Sequence, residues 1–393
     1  MPEIFALGKV PVTAHAFNAD RSRVAVSLNS NDAQILSRGA RGDWISVETL
    51  SEHDKLITSI DWAPRSNRIV TASQDRNAYV WQEVDDPENP GRLIWKPTLV
   101  LLRINRAATF VRWSPNEDKF AVASGARAIA ICSFDSDENW WVSKLLKKPI
   151  RSTVLSVDWH PNNVLLAAGS ADMKARVFSA YIKEVDQKPA ATVWGSKLPF
   201  NTICGEYTSP SGGWVHGVAF SPSGDALAFV SHDSSISVVY PGSQAVYRIH
   251  LRTLPLTTLV WTSENAIVAA GHDCQPYIFQ GDEGTGWADV GSLDDGKSSV
   301  DGAASAGLGR PGRLNAGAFA TFRNADSKGQ SSVPGASATA DTKLTTVHQN
   351  TITSVRLYDG GYRVSTSGVD GHLIIWDTSN VTPLEKGLGA MRL

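Results

Sequence analysis

Apolar residues along this chain gather in short runs, and the runs recur inside a fixed phrase. The phrase is a β-branched stretch, an aromatic, one further residue and a proline. It reads Ile60-Asp61-Trp62-Ala63-Pro64, Val111-Arg112-Trp113-Ser114-Pro115, Val157-Asp158-Trp159-His160-Pro161 and Val218-Ala219-Phe220-Ser221-Pro222. Weaker copies end at Phe17, Trp261 and Leu357, and the seven positions lie 45, 51, 46, 61, 41 and 96 residues apart. A second apolar run follows each copy, as in Arg68-Ile69-Val70, Lys119 to Ala123, Leu165 to Ala168, Ala226 to Val230 and Ile267 to Ala270. Next comes a polar turn carrying Asp75, Asp172, Asp233, Asp273 or Asp370. Six residues beyond each Asp stands a bulky side chain: Trp81, Phe178, Val239, Phe279 or Trp376. The third unit departs, with Ala126 and Cys132 in those two places, and the first unit has no clear Asp.

Two stretches almost three hundred residues apart keep the same ruler. His53 to Asp75 and His348 to Asp370 both span 22 residues, and His53 to Trp81 and His348 to Trp376 both span 28. Short strands separated by turns at a period of about 40–45 residues predict an all-β fold, a seven-bladed β-propeller of four-stranded sheets. In that fold a turn Asp can accept from backbone N–H groups and from the His. The His can relay to Thr71 or Ser73, or to Thr366, and onward to the indole N–H, satisfying buried polar groups. His53, Asp75, Trp81, Asp172, Asp233, Asp273, His348, Asp370 and Trp376 are therefore read as a structural blade network, and no catalytic residue is assigned.

Seven units of about 42 residues use about 295 positions, so residues 1–393 are expected to form one propeller. The 96-residue interval absorbs much of the excess. Glu3-Ile4-Phe5-Ala6-Leu7 is a short apolar strand without a blade of its own. Residues 1–10 are expected to supply the outer strand of blade seven, which seals the ring.

Composition narrows the function. Thirty-seven Lys and Arg against 39 Asp and Glu give a net charge of −2, which argues against a nucleic-acid binder driven by bulk charge. Three scattered cysteines, Cys132, Cys204 and Cys274, form neither a disulfide framework nor a CxxC metal pair. Met1 to Val10 lacks a signal-peptide pattern, and apolar runs such as Leu99 to Leu102 are far short of a membrane span. A soluble cytoplasmic protein without metal, cofactor, nucleic acid or membrane insertion is expected. No Gly-rich phosphate loop, HExxH or GxSxG is present, and His272-Asp273-Cys274 falls in the turn register of blade six.

Residues 281–346 hold 12 of the 32 glycines. Trp287-Ala288-Asp289-Val290 is expected to finish blade six, and 285–345 to form a mobile insertion. Within it, Leu314, Ala318, Phe322 and Ala325 share one face of a helix expected near 313–326, with Pro311 before it and Gly329 after it.

The phrases IDWAPRSNRIVTASQDRNAYVW, LRINRAATFVRWSPNEDKFAVASG, KKPIRSTVLSVDWHPNNVLLAAGSADMKARVFSAYIKEVD and GWVHGVAFSPSGDALAFVSHD resemble the WD-repeat subunit family of the actin-related protein 2/3 (Arp2/3) complex. The resemblance runs from about Ala14 to Trp376 and includes the connectors between repeats. It implies a non-enzymatic subunit of a complex that nucleates branched actin filaments. Its partners would be the other subunits, including the actin-related proteins, the actin filament, and the acidic tails of nucleation-promoting factors. The family's protruding helix between blades six and seven contacts the mother filament. Here Arg313, Leu314, Phe319, Phe322 and Arg323 would make that contact. For the acidic tail the candidates are the clustered cations Arg103, Arg106, Lys144, Lys147, Lys148 and Arg151, both groups lying just before inner strands. Trp140-Trp141 beside them reads as packing. Localisation would be cytoplasmic, on the actin cytoskeleton, in cortical patches in a fungus. The alternative is a WD-repeat adaptor of another complex, such as a ubiquitin ligase receptor or a chromatin scaffold. The connectors and the helix separate the two readings.

Overall fold

The computed structural model describes residues 2–294 and 344–379, apart from 41, 90 and 197. Among the described residues there are 28 strands and no helix. They make seven four-stranded antiparallel sheets. The first strands of consecutive sheets pack side by side, and that of blade one also meets that of blade seven, so the ring is closed. The helix expected near 313–326 lies outside the described residues.

Each joint between blades has its own hydrophobic cluster. Alternation explains this: successive residues of a strand point to opposite faces of a sheet, and here both faces are covered by neighbours. In the second strand of blade two, Ile69 belongs to the cluster shared with blade one and Val70 to the cluster shared with blade three. Second strands are accordingly buried throughout, as in Ile69–Ser73 and Leu165–Ser170.

Blade seven is made from both ends of the chain. Glu3–Ala6 pairs with the third strand, His372–Asp377, in the register Glu3↔Ile375 to Ala6↔His372. His15 of blade one lies buried against Ser367 (2.9 Å) and Ser365 (2.9 Å) of blade seven. Burial first, then the charges of Arg356 and Arg112, hold its pKa well below the usual histidine value.

The insertion placed from residue 285 starts later. Gly286–Ser292 is the outer strand of blade six, and just beyond it the Asp294 carboxylate accepts the Val347 N–H (2.6 Å), which brings residues on either side of the undescribed segment together.

The inner strands line an axial channel of about 690 Å³. Five threonines stand at one register there, and each donates its hydroxyl to a carbonyl of the next blade. The bonds are Thr13 to Ile57 (3.3 Å), Thr58 to Ala108 (3.0 Å), Thr109 to Val154 (2.6 Å), Thr257 to Ile352 (3.2 Å) and Thr353 to Val12 (2.7 Å). Blades four and five have Leu155 and His216 at this register. Their onward joints are made differently. The Asp158 carboxylate accepts the Phe220 N–H (2.8 Å), and blade six approaches so closely that a Cβ on Gly217 would lie 2.8 Å from Leu259 Cδ2.

Candidate functional site: a cationic sector on one face of the ring

The turns after each second strand and the connectors entering each inner strand share one face of the propeller. In blade two this face is anchored by a polar network. His53 Nδ1 lies 2.7 Å from Asp75 and its Nε2 2.8 Å from Thr71, whose oxygen also accepts the Trp81 N–H (3.0 Å). Blade seven repeats it: His348 with Asp370 (3.0 Å) and Thr366 (2.7 Å), and Trp376 N–H to Thr366 (2.7 Å). Ser73, the other candidate relay, donates instead to the Lys55 carbonyl (2.8 Å). The arrangement resembles a catalytic triad, but Thr71 and Thr366 are fully buried and their oxygens are already engaged. Burial, only partly offset by Asp75, pulls the His53 pKa down.

The other turn carboxylates have different partners. Asp172 is bidentate to Arg176 (2.9 Å) and accepts the Arg151 N–H (2.9 Å). Asp233 accepts from Ser209 (2.9 Å), Ser211 N–H (3.0 Å) and Ser235 (2.6 Å). Asp273 is held by Tyr277 and Gln275.

Blade three is the exception. At matching registers it has Ile104, Val122, Ala126 and Cys132 where blade two has His53, Thr71, Asp75 and Trp81. Val122 and Cys132 are fully buried and Ile104 packs on the same cluster. Burial drives the Cys132 thiol pKa upward. With its carboxylate gone, the blade three turn carries only positive charge. The residue after the Asp register adopts positive φ in blades two to seven: Arg76, Arg127, Met173, Ser234, Cys274 and Gly371. Arg127, at φ 56°, has no turn carboxylate beside it.

Arg127 therefore joins Arg106 and Arg151 around a groove of about 740 Å³, with Asn105, Ser152 and Thr153 between them. Arg103, Lys147 and Lys148 are exposed on the same connectors. None of these six cations has an ion-pair partner among the described residues. Lys144 differs: it sits on the outer strand and pairs with Glu184 (3.3 Å), away from the groove lining. Arg127 escapes sequence reasoning because its neighbours in the groove come from two other segments. The signal was the break in pattern at Ala126. Trp141 is buried against Phe120 (5.1 Å) and Trp113 (5.8 Å), while Trp140 is half-exposed.

Among the described residues no group of three His, Cys, Asp or Glu is arranged to hold a metal ion, and His272-Asp273-Cys274 is an ordinary blade turn. No described helix is long and apolar enough to cross a membrane. Arg313, Leu314, Phe319, Phe322 and Arg323 lie outside the described residues.

The WD domain, G-beta repeat family matches residues 44–82, 144–179 and 341–377. Over nearly its whole length the chain is 51% identical to actin-related protein 2/3 complex subunit 1 of Schizosaccharomyces pombe, covering 93% of this chain and 96% of that one. The chain belongs to the actin-related protein 2/3 complex subunit 1 family. It is 49% identical to subunit 1A-B of Xenopus laevis (97% of this chain, 98% of the relative) and 40% identical to subunit 1B of Arabidopsis thaliana (94% and 95%). Family membership accounts for the connectors as well as the repeats, which a generic propeller would not share.

Proposed function

We propose that this chain is a non-catalytic scaffold subunit of an Arp2/3 complex in the cytoplasm, on the actin cytoskeleton. It holds the actin-related subunits and helps to bind the acidic tails of nucleation-promoting factors. Full-length relatedness to subunit 1 of three distant organisms supports membership of the complex. The single observation that supports the tail site is the groove between blades three and four, with three arginines whose side chains have no carboxylate partner among the described residues. Charge complementarity of this kind steers an acidic segment and fixes its register.

The test is a reconstituted complex carrying Arg106→Ala, Arg127→Ala and Arg151→Ala together. Affinity for the acidic tail is expected to fall at least tenfold, more steeply at low salt, while Arg76→Ala in blade two leaves it unchanged. Unaltered tail binding by the triple variant refutes the site. The filament contact at Leu314, Phe319 and Phe322 rests on the family resemblance. A Phe319→Ala/Phe322→Ala complex should assemble normally and branch less in a pyrene-actin assay with microscopy. Recovery of cullins or histones, and no actin-related proteins, on the tagged chain would instead support the adaptor reading.

A further inference from the structure

Blades five and six bring three imidazoles together on the same face as the cations. His216 Nε2 lies 2.9 Å from His232 Nδ1, with the rings 5.1 Å apart. His272 stands 6.5 Å from His232, and its Nδ1 meets the Thr351 hydroxyl (3.2 Å). Trp214, 52% exposed, lies over His232 at 5.7 Å and 31°. His216 occupies the axial register where five other blades have threonine, so the cluster rims the channel mouth.

Among the described residues no carboxylate hydrogen-bonds to these rings. Asp233 faces its serines, Asp273 faces Tyr277 and Gln275, and Asp370 faces His348, the Gln349 N–H (2.8 Å) and the His372 N–H (3.2 Å). Asp294, at the foot of the insertion, accepts Val347 N–H. His250, from the outer strand of blade five, contacts Ser211 (3.3 Å). The bordering cations Arg151 and Arg252 are exposed. Burial, then repulsion from His232 and His272, holds His216 down at about 4. Burial and then His232 lower His272. His216 and His272 are thus uncharged at neutral pH.

The cluster is also continuous with the arginine groove. The Arg151 N–H bonds to Asp172, and Met173 follows, 42% exposed. The Met173 carbonyl accepts the Ser209 N–H (2.9 Å), at the start of the turn that leads to Trp214.

We propose that the histidine mouth is the second half of the acidic-segment site, and that carboxylates docking there make the hydrogen-bonded His216–His232 pair take up a proton. Binding then tightens as pH falls. This rests on the groove reading above. A carboxylate beside an imidazole favours its charged form, and the indole face of Trp214 further favours a cation beneath it. By linkage, each proton taken up on binding is worth up to tenfold in affinity per pH unit, between the bound and free pKa values.

The experiment uses the assembled complex and a tetramethylrhodamine-labelled peptide of alternating Asp and Glu, whose carboxylates stay ionised over the range used. Anisotropy titrations are run at pH 7.5 and 6.0 at fixed ionic strength. The wild-type complex should bind about tenfold more tightly at pH 6.0. His216→Asn/His232→Asn should bind with one affinity at both, and Trp214→Ala should show a smaller gain. Arg106→Ala/Arg127→Ala should weaken binding at both pH values and retain the gain. Equal wild-type affinity at the two pH values overturns the proton linkage and leaves the groove standing. A gain that survives in the double histidine variant also overturns it. Absence of binding at either pH overturns the groove reading itself.

Discussion

Blades two and three occupy equivalent places in the ring and solve the same packing problem in opposite ways. Blade two closes its end with His53, Asp75, Thr71 and Trp81 joined by hydrogen bonds. Blade three fills the same registers with Ile104, Ala126, Val122 and Cys132. The exchange is concerted, and the energetics say why: a buried polar group is tolerated only with its partner, whereas removing all partners together can be nearly neutral. The difference also frees the surface. Without Asp75's counterpart, Arg127 and its neighbours carry unopposed charge.

The largest effect is expected from breaking the polar blade in one place. Thr71→Val leaves His53 Nε2 and Trp81 Nε1 unpaired, at about 1–3 kcal/mol for each orphan. Urea unfolding should therefore show a loss of roughly 2–6 kcal/mol. Adding His53→Ile and Asp75→Ala to that variant should recover part of the loss, since coupled residues do not add. A triple variant as unstable as the sum of its singles would refute the concerted exchange.

The reverse change is expected to be milder. Val122→Thr puts one hydroxyl among apolar neighbours, for about 1–3 kcal/mol, and should leave acidic-tail binding intact.

Acid should also separate the two blades. The unfolded chain protonates His53 near pH 6.5, whereas in the folded chain burial depresses that pKa, with Asp75 offsetting part of the effect. Stability from this group is therefore complete above about pH 6.5 and declines as pH falls toward the folded value. The urea midpoint should drop between pH 7.5 and 5.5, by less in the variant lacking His53, and by the wild-type amount in Val122→Ile.

The smallest effect concerns the turns. Arg76→Gly and Arg127→Gly relieve left-handed strain and should stabilise by up to about 1–2 kcal/mol. Only the second should weaken tail binding. The converse substitution in blade seven, Gly371→Ala, should destabilise instead, because a Cβ there would lie 2.3 Å from the Gly8 carbonyl oxygen as the amino-terminal segment crosses the turn.

The ring was readable because its information is local and repeated. The aromatic-x-Pro phrase and the 22-residue His–Asp spacing each lie within one unit. Strand alternation puts Thr71 and Ser73 on one face, and only the approach of His53 distinguishes them. The groove was half readable: Arg106 and Arg151 stand in polar connectors, but Arg127 enters it from a turn whose position depends on sheet register. Lys144 was diverted by Glu184, which lies in the loop after the third strand of blade four and forty residues away. The histidine mouth was not readable, since His216, His232 and His272 come from two units and meet only when blades five and six close. The axial threonines are likewise scattered, one in each of five blades.

The pairing of Glu3–Ala6 with His372–Asp377 also sets a clock for biosynthesis. Glu3–Ala6 cannot find its neighbour until His372–Asp377 has also been made, some tens of seconds later at about 5–20 residues per second. Until then Glu3–Ala6 has no sheet to join and the ring stays open, and the nascent chain needs shelter for that interval.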